Sequence, residues 1–120
     1  MAKVLVVDDE AEVVEFLCNF LKRLKITAQK AINGKQALEV FNETKPDWVL
    51  LDIKMPDMDG FEVLEELKKK EPSVKAMMIT GRDDKDSQEK ARKLGAHDYI
   101  VKPLDLEELH KKIYEHILAK

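Results

Sequence analysis

The sequence has almost no cysteine, no long apolar run and no strong excess of charge of either sign. Its one cysteine, Cys18, excludes an internal disulfide and a multi-cysteine metal site. The longest apolar runs have four or five residues, far fewer than the roughly 20 that a membrane-spanning helix needs. The 21 basic and 24 acidic residues give a net charge of −3, which favours neither nucleic acid nor an anionic membrane as a partner.

The sequence also lacks an internal repeat, a low-complexity segment and an interdomain linker. Its 44% hydrophobic and 38% charged residues exclude a disordered tail and a fibrous repeat. A length of 120 residues fits a single domain, residues 1–120, with a buried core. The acidic segment Asp8–Glu10 lies where the apolar part of a signal peptide would be. We therefore expect a soluble, cytoplasmic domain.

Short apolar runs alternate with amphipathic stretches along the chain. Four runs have the composition of strands that are buried on both faces: Val4–Val7, Trp48–Leu51, Ala76–Ile79 and Tyr99–Val101. A fifth run, Thr27–Ile32, is half polar and is typical of a strand at a sheet edge. Because a helix is predicted after each strand, the order is five βα units. That order favours an α/β fold with a parallel sheet and helices on both faces.

Polar residues and glycine mark the predicted helix ends. Capping boxes are predicted at two helix starts, Asp59–Glu62 and Asp105–Glu108, and Gly95 is predicted to end the fourth helix. The last helix is predicted to bury Leu106, Leu109, Ile113 and Ile117. The fourth helix, Lys85–Leu94, offers only two apolar anchors, so we expect it to be the least stable helix.

Ligands of an open α/β sheet bind beyond the carboxyl ends of its strands, and this sequence has polar residues at four of these places. They are Asp8–Glu10 after the first strand, Asp52 after the third, Thr80–Gly81 after the fourth and Lys102–Pro103 after the fifth. The Lys102 side chain can reach across the site to a carboxylate or a phosphoryl group, and Gly81 leaves room for a ligand. Pro103 fixes the turn and permits a cis Lys102–Pro103 bond.

Asp8, Asp9 and Asp52 at this edge repel one another when all three carboxylates are charged. Two carboxylates within ~4 Å repel each other by roughly 4 kcal/mol at an effective dielectric constant near 20. One proton then stays bound, or a divalent cation lies among the carboxylates, and oxygen ligands favour Mg²⁺, Mn²⁺ or Ca²⁺ over zinc. A simpler alternative is that Asp9 or Glu10 caps the first helix. Together with Lys102, the pattern indicates a metal-assisted phosphoryl site whose acceptor is a carboxylate.

The sequence resembles the receiver domain of a two-component response regulator, of the single-domain chemotaxis-regulator type. The resemblance runs from Lys3 to Lys120 and is carried by Asp8–Asp9, Leu51–Gly60, Thr80–Gly81, Tyr99 and Lys102–Pro103. It implies a doubly wound, flavodoxin-like (βα)5 fold with a five-stranded parallel sheet in the order 2-1-3-4-5.

The resemblance also implies a role for each acidic position. Asp52 would be the phosphoacceptor, which takes a phosphoryl group from a phosphohistidine. Asp9, Asp52 and the backbone carbonyl of Lys54 would bind Mg²⁺ directly, and Asp8 would act through a water molecule. This assignment agrees with the physics of phosphoryl transfer, which depends mostly on positioning and charge neutralisation.

The remaining motif positions are implied to hold the phosphoryl group and to respond to it. Thr80 and Lys102 would bind phosphoryl oxygens, while Gly60 and Pro103 would shape the turns beside the site. As Thr80 moves towards the phosphoryl group, the ring of Tyr99 would turn inward. The surface of helix 4, strand 5 and helix 5 would then change its affinity for a partner.

The implied partners are a sensor histidine kinase or phosphotransfer protein and an output protein or fused output domain. The chain itself is expected to bind neither DNA nor a membrane, and to be a monomer, with a homodimer on phosphorylation as an open alternative. It is expected to catalyse only its own phosphorylation and dephosphorylation. Whether it is a free-standing regulator or part of a longer one stays open.

Three other functions compete with the switch. A haloacid-dehalogenase-type phosphatase needs an aspartate two residues after its nucleophile, where this chain has Lys54, and a cap domain. A flavodoxin needs a phosphate-binding loop rich in serine, threonine and glycine where this chain has Asp8–Glu10. A phosphorylation-independent pseudo-receiver, acting as a scaffold or dimerisation module, typically loses the acidic pair or the lysine. Since both are present here, the switch is the favoured interpretation.

Overall fold

A computed structural model describes residues 2–119 as five strands that alternate with five helices. The strands are β1 (Lys3–Val7), β2 (Thr27–Ala31), β3 (Trp48–Leu51), β4 (Lys75–Thr80) and β5 (Asp98–Val101). The helices are α1 (Ala11–Arg23), α2 (Gly34–Thr44), α3 (Gly60–Lys70), α4 (Lys85–Lys93) and α5 (Leu106–Ile113). A π-helical turn, Tyr114–Leu118, follows α5 directly. No helix within residues 2–119 is long and apolar enough to cross a membrane.

The five strands form one parallel sheet in the order β2-β1-β3-β4-β5, which confirms the predicted doubly wound α/β fold. Its register decides which residues meet at the carboxyl edge. Val7 of β1 pairs with Leu51 of β3, and Leu51 pairs with Met78 of β4. Asp8 and Asp52 directly follow these paired strand ends, so they lie side by side at the carboxyl edge of the sheet.

Side chains from the two faces of the sheet form two separate cores. One face packs against α2, α3 and α4, and the other packs against α1 and α5. The strands β1, β3 and β4 are buried on both faces, as predicted, apart from the first residues of β1 and β4. The prediction for β5 is wrong, because Tyr99 and Val101 are only half-buried. The reason is that β5 lies at the edge of the sheet, opposite the other edge strand β2.

Most of the predicted helix ends are confirmed, and two details of α5 are wrong. Asp59 and Glu62 form the full capping box, and Gly95 ends α4 with a φ of 100°. Asp105 caps α5 by accepting from two backbone N–H groups, but the Glu108 carboxylate accepts no reciprocal bond from the Asp105 N–H. Leu106, predicted to be buried, is 55% exposed, because this first residue of α5 packs against neither core. The other three predicted apolar residues of the last helix are buried.

Helix α4 has the sparse anchoring that its sequence predicts. Its residues that are buried are Ser87 and Ala91. Burial of apolar area supplies most of a helix's stability in a folded protein. Because α4 buries little apolar area, packing contributes little to its stability. That it is the least stable helix stays a prediction.

The amino ends of the strands carry a cluster of aromatic and imidazole rings. This cluster lies at the opposite end of the sheet from Asp8 and Asp52, whose end we call the acidic edge. The rings of His97 and His116 both contact Trp48, each with a centroid separation of 5.5 Å. The Nδ1 atom of His97 accepts a hydrogen bond from the Ala76 N–H at 3.5 Å. Burial lowers the pKa of His97 below its usual 6.5, and the nearby charges of Lys68 and Lys75 lower it further.

The lowered pKa of His97 predicts a loss of stability in mild acid. The unfolded chain takes up a proton on this ring more readily than the folded chain does. The stability that the neutral ring contributes is therefore complete above about pH 6.5 and is lost as the pH falls towards the folded pKa. Urea denaturation at several pH values should show a steeper loss for the wild type than for His97→Gln. As a control, His110→Gln on the outer flank of α5 should keep the wild-type profile, and parallel profiles for wild type and His97→Gln would refute the assignment.

Candidate functional site

Four carboxylates cluster at the carboxyl ends of β1 and β3. Asp8 and Asp52 are 1% and 5% exposed, whereas Asp9 and Glu10 face solvent. Each of the four offers an oxygen atom, and these atoms all lie within 4.8 Å of one another. The predicted acidic cluster therefore exists, and it combines two buried carboxylates with two that face an open cleft.

Lys102 reaches into this cluster from the end of β5. Its Nζ atom lies 2.7 Å from Asp8 Oδ2, 3.1 Å from Glu10 Oε1 and 3.3 Å from Asp52 Oδ2. Its backbone N–H donates to the Thr80 carbonyl at 2.8 Å, and the Lys102–Pro103 peptide bond is cis. The single ammonium group thus bridges the aspartates that follow β1 and β3, as the place of Lys102 at the carboxyl end of β5 predicts.

Burial and the neighbouring charges shift the pKa values of two groups at the site. Burial raises the pKa of Asp8, and the charge of Asp52 raises it further, against the hydrogen bonds from Lys102 and from the Glu10 N–H. Burial opposes the charge on Lys102, but the hydrogen bond with Asp8 and the charge of Asp52 outweigh it. The pKa of Lys102 consequently lies above its usual value, and the ammonium group stays charged at neutral pH.

Glu10 belongs to the site, although the only specific role that the sequence predicts for it is to cap the first helix. It is the N-cap residue of α1, and its carbonyl accepts from the first turn, but its side chain makes no capping bond. The carboxylate contacts Lys102 instead. The capping alternative therefore holds for the backbone of Glu10 and not for its side chain. The signal was the third consecutive acid after β1, facing a lysine across the sheet edge.

The loop from residue 53 to residue 59 connects Asp52 to α3, and its Lys54 lines the cleft. The Ile53 N–H donates to Asp52 Oδ1 at 2.8 Å, which fixes one oxygen of that carboxylate. The Gly60 N–H donates to the Ile53 carbonyl at 2.7 Å, so the loop closes on itself. A Cβ atom at Gly60 would lie 2.1 Å from the Asp52 carbonyl oxygen, which explains why glycine occupies this position. Lys54 lies within the loop, and its side chain is exposed.

Thr80 and Tyr99 are linked through the peptide groups of Arg82. The buried Thr80 hydroxyl accepts from the Arg82 N–H at 3.4 Å, and the Tyr99 hydroxyl donates to the Arg82 carbonyl at 2.7 Å. Between them, a Cβ atom at Gly81 would meet no atom within 4 Å. Thr80 therefore lies at the acidic edge as predicted, whereas Tyr99 is not in the cluster and contacts it only by way of the loop after β4.

The donor set of the cluster fits a hard divalent cation. It consists of carboxylate oxygens and contains no histidine or cysteine, a set that suits Mg²⁺. Of the four carboxylates, three contact the Lys102 ammonium group, and burial already raises the pKa of Asp8, so a cation would relieve the repulsion between the carboxylates. The residues present therefore fit the Mg²⁺ that the resemblance implies.

A family model described as "Response regulator receiver domain" matches residues 4–114. The chain belongs to this family. Receiver domains are signalling switches of two-component systems and are not classical enzymes. They interact with histidine kinases and output domains, and they generally use Mg²⁺.

Curated relatives and solved structures support the same family. The receiver domain is 30% identical over 118 residues to sporulation initiation phosphotransferase F of Bacillus subtilis, covering 98% of this chain and 95% of that protein. It is 36% identical over 108 residues to the regulatory protein AtoC of Escherichia coli, covering 90% of this chain but 23% of AtoC. It superimposes with a TM-score of 0.90 and 26% identity on a chain of the CheX-CheY-BeF3-Mg²⁺ complex from Borrelia burgdorferi, covering 95% of this chain and 87% of that one.

Proposed function

We propose that residues 1–120 form a phosphorylation-activated switch that accepts a phosphoryl group on Asp52. The donor is the phosphohistidine of a sensor histidine kinase or phosphotransfer protein. The observation that carries this proposal is the buried Asp52 carboxylate, which opens on a cleft beside two further aspartates and contacts the Lys102 ammonium group at 3.3 Å. This is a nucleophile with a neutralising cation already beside it.

The transfer step follows from the two oxygens of Asp52. The Ile53 N–H fixes Oδ1, so Oδ2, which faces Lys102, is the atom that attacks the phosphorus. A P–O bond to Oδ2 forms as the P–N bond to the histidine breaks, and the imidazole nitrogen keeps the electron pair. The Lys102 ammonium group then binds a phosphoryl oxygen, and the Thr80 hydroxyl binds another. Since this chemistry depends on positioning and charge, it needs no further catalytic side chain besides the residues that would hold Mg²⁺.

The residues that would hold Mg²⁺ are Asp9, Asp52 and the backbone carbonyl of Lys54, with Asp8 beside them. When bound, the cation neutralises charge on the phosphoryl oxygens during transfer. Lys102 already neutralises part of the Asp8 and Asp52 charge without it. The domain catalyses its own phosphorylation and dephosphorylation and acts on no separate substrate.

The switch is proposed to run through Arg82 to the surface of α4, β5 and α5. A Thr80 hydroxyl that turns to the phosphoryl group gives up its bond with the Arg82 N–H. Loss of this bond frees the loop after β4. The Arg82 carbonyl of that loop accepts the Tyr99 hydroxyl bond, so the Tyr99 ring can then turn inward. Helix α4, with its sparse anchoring, is the element that can shift with little loss of packing. The changed surface then controls an output protein or an attached output domain.

We further propose a cytoplasmic domain that is monomeric before phosphorylation. Neither DNA nor a membrane is a proposed partner of this chain. A homodimer formed on phosphorylation is one way in which the changed surface could act. The alternative to all of this is a scaffold or dimerisation module that works without phosphorylation.

Amide NMR spectra before and after addition of acetyl phosphate and Mg²⁺ test the switch. We expect resonance shifts at Arg82 and Tyr99 and along α4 and α5, in addition to those around Asp52. In Thr80→Ala the shifts around Asp52 should remain and the remote shifts should shrink, because the hydroxyl that couples the two regions is gone. Shifts confined to the acidic edge in the wild type would refute the switch and favour the scaffold.

A further inference from the structure

Asp57 fastens the loop of residues 53–59 to the start of α2. Its Oδ1 atom accepts from the Gly34 N–H at 2.9 Å, and its Oδ2 atom accepts from the Lys35 N–H at 2.8 Å. The N–H of the next residue, Met58, also donates to Oδ1, at 2.8 Å. One carboxylate therefore joins two segments that are 22 residues apart in sequence.

The contact completes the first turn of α2. A helix begins with four N–H groups that have no partner inside the helix. Here they are the N–H groups of residues 33 to 36, since the Ala37 N–H already makes the first intrahelical bond, to the Asn33 carbonyl. The Asn33 side chain binds the Gln36 N–H. The N–H groups of Gly34 and Lys35 are bound by Asp57, which therefore supplies half of the cap from another part of the chain.

Packing holds the same two segments close together. A Cβ atom added at Gly34 would lie 2.7 Å from the Met58 Cβ atom, so the glycine allows the loop to approach the helix. The bond from the Gly60 N–H to the Ile53 carbonyl joins the two ends of the loop. The loop is therefore held at Ile53 and at Asp57. Lys54, whose carbonyl is proposed to bind Mg²⁺, lies between these two residues.

We infer that Asp57 is a positioning residue, which holds the Lys54 carbonyl and the Asp52 carboxylate in place for Mg²⁺ binding and phosphoryl transfer. This inference rests on the proposed function. Outer groups that orient metal ligands typically change metal affinity about 10- to 100-fold when they are removed. The alternative is that Asp57 only stabilises α2.

The ionisation of Asp57 suits this role. The hydrogen bonds from the backbone N–H groups of Lys35 and Gly34 lower the pKa of the Asp57 carboxyl below its usual value of 3.8. The carboxylate is therefore charged and able to accept both bonds throughout the neutral range.

The test compares Asp57→Ala with Asn33→Ala. Both variants remove part of the cap of α2, but only Asp57→Ala releases the loop. MgCl2 titration followed by amide NMR at Asp52 and Lys54 should show an apparent Kd about 10-fold weaker for Asp57→Ala, and within about twofold of wild type for Asn33→Ala. Hydrogen exchange at Gly34 and Lys35 should speed up in Asp57→Ala. The conservative variant Asp57→Asn keeps one acceptor oxygen and should restore part of the Mg²⁺ affinity.

Thermal melts of each variant confirm that the comparison is made on folded protein. Wild-type Mg²⁺ affinity in folded Asp57→Ala, or an equal loss in Asn33→Ala, would overturn the inference while leaving the proposed function intact. If the wild type neither binds Mg²⁺ at Asp52 nor becomes phosphorylated by acetyl phosphate, the proposed function fails, and the inference fails with it.

Discussion

Replacing Gly60 with alanine is expected to lower the free energy of unfolding by about 3 kcal/mol. The new Cβ atom would lie 2.1 Å from the Asp52 carbonyl oxygen and 2.8 Å from the Ile53 Cα atom. Both are backbone atoms, so the clash cannot be relieved by rotating a side chain. The backbone that carries the phosphoacceptor must move, and we expect slower phosphorylation in whatever fraction remains folded.

The matched control is Gly81→Ala, at a second glycine beside the same site. A Cβ atom there would meet nothing within 4 Å, and alanine should change the unfolding free energy by less than about 0.5 kcal/mol. Urea denaturation of both variants provides the comparison. Equal stability of the two variants would show that the close approach of Gly60 to the Asp52 carbonyl is not a constraint on the fold.

Replacing Lys102 with methionine is expected to destabilise the protein by roughly 3 kcal/mol in the absence of divalent cations. Methionine keeps most of the side-chain volume but leaves the buried carboxylates of Asp8 and Asp52 without their ammonium partner. Saturating Mg²⁺ should recover much of this loss, since a cation among the carboxylates replaces the missing charge. The gain in melting temperature on adding Mg²⁺ should therefore be larger for the variant than for the wild type.

Lys112→Met provides the control for this effect. Lys112 also pairs with an aspartate, Asp98, at 2.8 Å, but the pair is more exposed and lies away from the acidic edge. Its loss should cost at most about 1 kcal/mol, and Mg²⁺ should not restore it. If Mg²⁺ stabilises Lys102→Met no more than it stabilises Lys112→Met, the acidic cluster is not the cation site.

The sequence predicts much of the fold and the meeting of the acidic residues, for one physical reason. Strands buried on both faces must lie in a parallel sheet covered by helices, and the carboxyl ends of such strands share one edge. Asp8 and Asp52 are therefore neighbours although they are 44 positions apart in the sequence. Lys102 lies at the same edge because it directly follows β5. The strand order came from the resemblance, because no local pattern states which strands are adjacent.

What the sequence does not reveal depends on contacts between distant loops. Asp57 lies within a motif stretch of the resemblance, yet nothing local indicates that it caps α2. Glu10 has the sequence position of a helix-capping residue. Its carboxylate contacts Lys102 instead, and that contact depends on the fold. Leu106 fits the apolar periodicity of α5 but packs against neither core and is exposed. Periodicity gives the face of a helix and not the extent of the surface against which it packs.

The most direct test of the central claim is the intact mass after incubation with acetyl phosphate, with and without Mg²⁺. The wild type and Asp47→Asn, altered at the opposite end of β3, should each gain one phosphoryl group when Mg²⁺ is present. Asp52→Asn should gain none. Modification of Asp52→Asn to the wild-type extent, or no modification of the folded wild type with Mg²⁺ present, would contradict the assignment of Asp52 as the phosphoacceptor.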